Sequence, residues 1–106
     1  MSEQFRIQPT TTFTNDVVRL EGYIVERELA SNTPDEDCLV RFQAAMERVL
    51  GILELAPFTC RRCEANPTFR ELLVPFGHSG CVVLFAIRGP DVLLLAARHQ
   101  YERDFK

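Results

Sequence analysis

The sequence predicts an α+β domain in which an N-terminal strand and an antiparallel helical hairpin precede three strands of a curved antiparallel sheet. Two apolar stripes at helical spacing occupy the first half of the chain, and three apolar runs separated by tight turns occupy the second half. A chain of 106 residues fits one domain, so we assign residues 1–106 to a single unit. Because a sheet needs one face covered, the helix pair is expected to pack on it.

The first two elements follow from alternation and from helical periodicity. Residues 4–8 alternate polar and apolar side chains, which predicts a short strand with Phe5 and Ile7 on one face. Thr14 is a good N-cap candidate, and an amphipathic helix is predicted over residues 15–30. The apolar stripe that predicts this helix comprises Phe13, Val17, Leu20 and Ile24.

The second helix has the clearest start signal in the chain. The run Thr33-Pro34-Asp35-Glu36 matches a capping box with proline at the first helical position. Pro57 stops the helix, and a connection of about three residues to the first helix predicts antiparallel neighbours. The apolar stripe of this helix comprises Leu39, Phe42, Met46, Val49 and Leu53.

Three apolar runs of strand length follow a loop at residues 57–67. They span residues 69–76, 81–88 and 92–99, with glycine-containing turns between them. Runs of this length separated by tight turns are typical of an antiparallel meander. The polar tail, residues 100–106, is expected to fray.

Composition and charge narrow the class of protein. The hydrophobic fraction is 46% and the charged fraction 25%, both typical of a globular domain. No apolar run approaches the roughly 20 residues of a membrane span, and the N-terminus lacks the shape of a signal peptide, so we expect a cytoplasmic protein without membrane contact. The net charge of −3 is uneven, because residues 1–56 carry five basic and ten acidic side chains and residues 57–106 carry seven and five. A solvated acidic face on the helical half explains this, and two faces with different partners are the alternative.

The four cysteines are interpreted as reduced thiols, because nothing indicates secretion. Cys60 and Cys63 form a CxxC pair, but zinc needs four ligands and the chain has no second such pair. Cys38, His78 or Cys81 would have to complete the site, while Cys38 and Cys81 fit a helix and a strand core. We therefore predict no metal and no cofactor.

The C-terminal half carries a set of residues that matches a known bacterial family. An arginine opens the first strand of the meander, a Ser-Gly turn follows, and the next strand is of the Val-Val-Leu-Phe kind. The last strand closes on Arg-His, and an acidic tail with an aromatic residue comes after it. These residues are Arg70, Ser79-Gly80, Val82–Phe85, Arg98-His99, Glu102 and Phe105. On this set the chain resembles the ParE/RelE toxins, specifically over about residues 69–105 and in element order over the whole chain.

The resemblance implies the toxin component of a type II toxin–antitoxin system, a class that includes plasmid stabilization proteins. Its partner is then a cognate antitoxin, which wraps an extended or helical segment around the toxin and blocks its working surface. Operator DNA is bound only through the antitoxin. ParE-like members are associated with poisoning DNA gyrase, whereas RelE-like members cleave mRNA on the ribosome.

The residues that RelE chemistry requires are incompletely present. RelE-like sequences have an arginine just after the turn glycine, another closing the last strand, and a tyrosine in the tail, for phosphate binding and proton transfer. Here Val82 or an apolar neighbour occupies the position of the first arginine, and Arg98 matches the arginine that closes the last strand. Phe105 lies about where the tyrosine is expected, with Tyr101 close by in the sequence. With a net charge of −3, the chain also lacks the strongly basic surface that is typical of a nucleic-acid binder.

The sequence therefore favours a ParE-like, gyrase-binding toxin that is not an enzyme. One alternative is a RelE-like ribosome-dependent mRNA endoribonuclease. The other is an inactive toxin or a zinc-stabilised binding module.

Three residues are candidates for the functional surface, and each also has an ordinary explanation. Arg98 would contact the target or a phosphate, or form an ion pair with the acidic tail. His99 would act as a general base, or be a plain surface histidine. Arg70 would add a cation, or pair with Glu71 or with the acidic helices.

Two further sets of side chains are weaker candidates. Tyr23 and Ile24 are possible antitoxin contacts on the first helix. Arg61 and Arg62 could meet nucleic acid or an acidic antitoxin segment, but a solvated loop explains them as well.

Overall fold

A computed structural model describes residues 4–76 and 79–100 and confirms the α+β architecture. The predicted order of strand, helix, helix and three strands is present, with a short 3₁₀ turn and an extra two-residue strand before the meander. The elements are β1 Arg6–Pro9, α1 Thr11–Leu29, α2 Cys38–Leu55, the 3₁₀ turn Pro57–Thr59, β2 Arg61–Arg62, β3 Arg70–Phe76, β4 Ser79–Arg88 and β5 Asp91–His99.

The five strands form one mixed sheet in the order β1-β5-β4-β3-β2. Strands β3 to β5 are antiparallel, as predicted. Strand β2, which lies in the segment predicted as a loop, pairs antiparallel with β3. The edge strand differs, because β1 runs parallel to β5 with Ile7 opposite Val92. A parallel pair needs a long crossover, and everything between β1 and β5 supplies it. Pro9 at the end of β1 has no N–H to donate, which an edge strand tolerates.

A bulge in β5 changes which of its side chains share a face. Leu84 lies opposite Ala96 and Phe85 lies opposite Leu94, so Leu95 is an extra residue on β5. After the bulge Ala97 belongs to the core, and the next residue along the strand turns to the other face of the sheet.

Helix α1 begins four residues earlier than the predicted N-cap Thr14 implies. The N-cap is Thr10, whose hydroxyl accepts from the Phe13 N–H at 3.2 Å and donates to the Leu94 carbonyl at 2.7 Å. One threonine therefore both caps α1 and ties it to β5.

The predicted capping box before α2 is wrong. The helix starts at Cys38, so residues 30–37 form a longer connection than expected. The Asp35 N–H donates to Glu28 Oε1 at 2.9 Å, and the Asp35 carboxylate accepts from the Asp37 N–H at 3.0 Å and pairs with Arg41. These bonds hold the chain in a turn where the sequence suggested a first helical turn.

The core lies between the helical hairpin and one face of the sheet. The predicted α2 stripe is buried at Phe42, Met46, Val49 and Leu53 and half-buried at Leu39. The other buried core side chains include Phe13, Leu20, Val74, Cys81, Val83, Phe85, Val92, Leu94 and Ala97. Neither helix that the structure describes is long and apolar enough to span a membrane.

Candidate functional site

Arg98 lies near the end of β5 on the sheet face that carries no helix. Ala97 belongs to the core cluster under the helices, and successive residues of a strand point to opposite faces. The Arg98 side chain is only 13% exposed, so it is more buried than its position near a strand end suggested.

An ion pair links Arg98 on β5 to Glu71 on β3. Its Nη2 lies 3.7 Å from Oε2 of Glu71, whose side chain is 12% exposed. The other Glu71 oxygen lies 3.4 Å from Nε of Arg61, which is well exposed. Arg98 Nη1 also donates to the carbonyls of His99 at 3.2 Å and Gln100 at 3.3 Å. The guanidinium is therefore fixed in place and largely removed from water.

The Arg98–Glu71 pair crosses a whole strand. Glu71 is on β3 opposite Leu84 of β4, and Arg98 is on β5 opposite Val82 of β4. Neighbouring strands lie about 4.8 Å apart, so the two side chains meet across roughly 10 Å of sheet. They must lie over the face of β4, where Val82 is buried although no helix covers this side.

We name the Arg98, Glu71 and Arg61 side chains the cation face. Exposed Leu73, opposite Val82, borders it on β3. A guanidinium held in a fixed orientation recognises carboxylate or phosphate oxygens through paired N–H donors.

His99 lies on the opposite face from Arg98. Its ring is 6.2 Å from the Tyr23 ring in an edge-on arrangement, and it lines a cavity between the helical hairpin and the end of the sheet. The sequence neighbours Arg98 and His99 thus serve different surfaces.

The cavity beside His99 has a volume of about 260 Å³. Its floor is apolar and its rim is charged. The lining includes Leu20, Tyr23, Ile24, Phe42, Phe76 and Cys81, with Arg27, Glu28, Asp35 and Arg41 at the rim. Tyr23 and Ile24, the candidate antitoxin contacts, therefore meet in one concave surface.

Arg70 lies apart from the other two candidate residues, Arg98 and His99. Its Nη1 donates to the Cys60 carbonyl at 2.7 Å and to the Phe58 carbonyl at 3.3 Å, and its guanidinium lies 5.6 Å from the Phe58 ring centroid. It is opposite Phe85, three register positions along β4 from the partner of Arg98. Its contacts fasten the 3₁₀ turn and the residue before β2 to the start of β3.

The start of β4 carries no cation among the residues that the structure describes. Cys81 and Val82, which follow the turn glycine, are 3% and 2% exposed. The expected tail residues Tyr101, Glu102 and Phe105 lie outside the described residues.

The thiols form no metal cluster within residues 4–76 and 79–100, where no group of three His, Cys, Asp or Glu side chains could hold an ion. His78 lies outside these residues. Burial raises the pKa of the Cys38 and Cys60 thiols, and it raises the pKa of Cys81 to about 12. Protonated thiols are poor ligands and poor nucleophiles, so the chemistry of these cysteines is that of core side chains.

Sequence reasoning missed Glu71 as the partner of Arg98. Strand alternation was the available signal, because residue 71 must face away from Leu72, which packs on the core. The same rule makes the expected Arg70–Glu71 pair unfavourable, since neighbours on a strand point apart.

Comparison with known proteins rests on the fold. No protein-family model matches the chain, and no curated protein matches it by sequence. The arrangement of a helical hairpin on a five-stranded mixed sheet defines a ParE-like α+β fold. It is similar to a chain of the solved structure described as "Chromosomal ParDE TA system from P. aeruginosa", with a TM-score of 0.67 and 18% sequence identity, over 92% of this chain and 98% of that chain.

Proposed function

We propose that this chain is the toxin of a toxin–antitoxin pair, that a cognate antitoxin neutralises it, and that it acts by binding DNA gyrase. The observation that carries the proposal is the fold shared with a chain of a ParDE system across nearly the full length of both chains. The resemblance of residues 69–105 to the ParE/RelE toxins is a separate argument for the proposal, because it comes from the sequence and not from the fold.

The cation face favours a binding toxin over a nuclease. It offers Arg98 as a rigid donor group, while buried Cys81 and Val82 stand where a RelE-like toxin has its first arginine. Catalysed cleavage of RNA needs several cations around one phosphate and a proton acceptor nearby. A net charge of −3 also opposes RNA binding.

A RelE-like endoribonuclease is the second candidate, and the adjacency of Arg98 and His99 is the observation in its favour. The two side chains would supply a phosphate-binding cation and a general base. They lie on opposite faces of the sheet, however, so a single phosphodiester does not meet both. This separation ranks the enzyme below the binding toxin.

The antitoxin is proposed to bind the outer side of the helical hairpin. Val25 and Leu29 of α1 lie four residues apart on one face of the helix and are exposed apolar side chains, at 39% and 76%. Tyr23, exposed at 53%, lies on another side of the helix and lines the cavity beside His99. Adjacent exposed apolar side chains on one helix face suit a protein partner. The cavity beneath Tyr23 would accept an apolar side chain of the antitoxin.

Induction of the toxin in bacteria that lack the antitoxin tests the target. We expect growth arrest with DNA breaks, an SOS response and intact mRNA. Arg98→Ala should weaken binding to purified gyrase about tenfold or more, because a charged hydrogen bond is lost. Arg88→Ala, at the exposed far end of β4, is the matched control and should bind as the wild type does.

Cleaved transcripts with early translation arrest would instead establish the endoribonuclease. Unimpaired growth at full expression would contradict an active toxin of either kind.

A further inference from the structure

The cation face contains its own anion. Glu71 lies between the Arg61 and Arg98 guanidinium groups, at 3.4 and 3.7 Å. Charge-assisted hydrogen bonds between a guanidinium and a carboxylate are about 2.7–2.9 Å long. Glu71 is thus close enough to neutralise both cations, and too far from either to form the short paired bonds that a carboxylate can make with arginine.

The position of Arg98 does not depend on Glu71 alone. The carbonyls of His99 and Gln100 accept from its Nη1, and both belong to the same stretch of backbone as Arg98 itself. The guanidinium therefore has anchors that stay in place when the carboxylate moves. Glu71, in turn, sits on a strand two positions away in the sheet and reaches Arg98 only by crossing β4.

The surroundings favour a protein ligand over a nucleic acid. Leu73, opposite Val82 on the same face, exposes 48% of its surface beside the pair. An apolar neighbour of this size suits the mixed apolar and acidic surface of a protein partner.

We propose that Glu71 is an internal counter-anion, and that an acidic side chain of a protein partner replaces it on Arg98 when the partner binds. This inference rests on the proposed function, because it takes the Arg98 surface as the one that a partner occupies. Glu71 keeps the Arg98 charge neutralised in the free protein, and it sets how strongly an external carboxylate must compete.

Succinate binding to the purified protein tests the exchange directly. Succinate is titrated at constant ionic strength, and binding is followed through the NMR signal of the arginine Nε–H groups. Glu71→Gln keeps the shape of the side chain and removes the competing charge. We expect it to bind succinate about tenfold more tightly than the wild type, since no internal carboxylate then neutralises the Arg98 guanidinium.

Two control variants separate this exchange from simpler effects. Glu64→Gln removes one negative charge from the exposed loop before β3, and it should leave succinate binding as in the wild type. Glu71→Gln combined with Arg98→Gln should lose the gain, because the receiving guanidinium is gone. If Glu71→Gln does not fold, Glu71→Ala replaces it, since it also removes the competing carboxylate and the same gain is expected.

An unchanged succinate affinity in the folded variant would overturn the proposal and leave Glu71 as a structural residue. The proposal would also be overturned if Glu71→Gln bound a single-stranded RNA oligonucleotide more tightly than both the wild type and Glu64→Gln, while its affinity for succinate stayed unchanged. The ligand of this surface would then be a nucleic acid. The measurement uses neither antitoxin nor gyrase. Its result therefore stands apart from the growth and gyrase experiments that test the proposed function.

Discussion

Asp16 is the buried charged residue in the part of the chain that the structure describes. It lies on α1, and its Oδ2 accepts a hydrogen bond from the Ala97 N–H at 2.9 Å, just past the bulge in β5. A buried carboxylate is expensive unless a donor meets it. This bond therefore joins the first helix to the last strand at the point where the strand changes register.

Replacing Asp16 tests that connection. Asp16→Ala should lower the free energy of unfolding by about 1–3 kcal/mol, because the buried Ala97 N–H loses its acceptor. Asp16→Asn retains an acceptor oxygen and should be less destabilised. Urea denaturation provides the comparison, with the exposed Glu26→Ala on the same helix expected within about 0.5 kcal/mol of the wild type. Equal losses in the Ala and Asn variants would show that the hydrogen bond is not the cause.

At the scale of elements, the β3–β4 hairpin depends on a close approach of two backbones. A Cβ atom built on Gly80 would lie 2.4 Å from the carbonyl oxygen of Val74, which belongs to the partner strand β3. This position in β4 therefore requires glycine for space. The glycines inside the helices are different, because a Cβ on Gly22 or Gly51 would meet nothing within 4 Å.

This contrast predicts opposite effects of the same substitution. Gly80→Ala should destabilise the protein by about 1–3 kcal/mol, because the hairpin backbone must shift to admit the methyl group. Gly22→Ala should stabilise it by about 0.5–1 kcal/mol, because alanine loses less backbone entropy in a helix. Thermal unfolding of both variants checks the pair. A Gly80→Ala variant as stable as the wild type would contradict the close approach.

The whole molecule consists of two layers, and the interface between them is built from apolar side chains. The helical hairpin covers one face of the sheet, and Cys81 is buried in that interface with a pKa raised to about 12 by desolvation. In the unfolded chain the thiol has the ordinary cysteine pKa of about 9. The folded state therefore retains a proton that the unfolded state loses between these two values.

Stability should accordingly fall as the pH rises from about 9 towards 12, by at most about 1.4 kcal/mol per pH unit from this thiol. Below pH 9 both states hold the proton and the thiol contributes no pH dependence. Denaturation of Cys81→Ala across this range should show a shallower decline than the wild type. Parallel declines in the two proteins would remove Cys81 as the cause.

Local patterns in the sequence were enough to predict the elements and most of the core. Apolar periodicity located both helices and the three strands of the meander, because local spacing alone decides which side chains share a face. Local signals were less reliable at helix ends. The run Thr33–Glu36 has capping-box chemistry, yet Glu28 and Arg41 compete for the same polar groups and keep that run in a turn.

Tertiary structure alone decided which side chains meet. The parallel attachment of β1, the bulge at Leu95 and the Arg98–Glu71 pair all depend on strand order and register, which join residues far apart in the chain. One extra residue in β5 sends the guanidinium to the open face and the adjacent imidazole under the helices. The pattern of residues along the sequence does not reveal strand register, because register is fixed by how the helices and the sheet pack against each other.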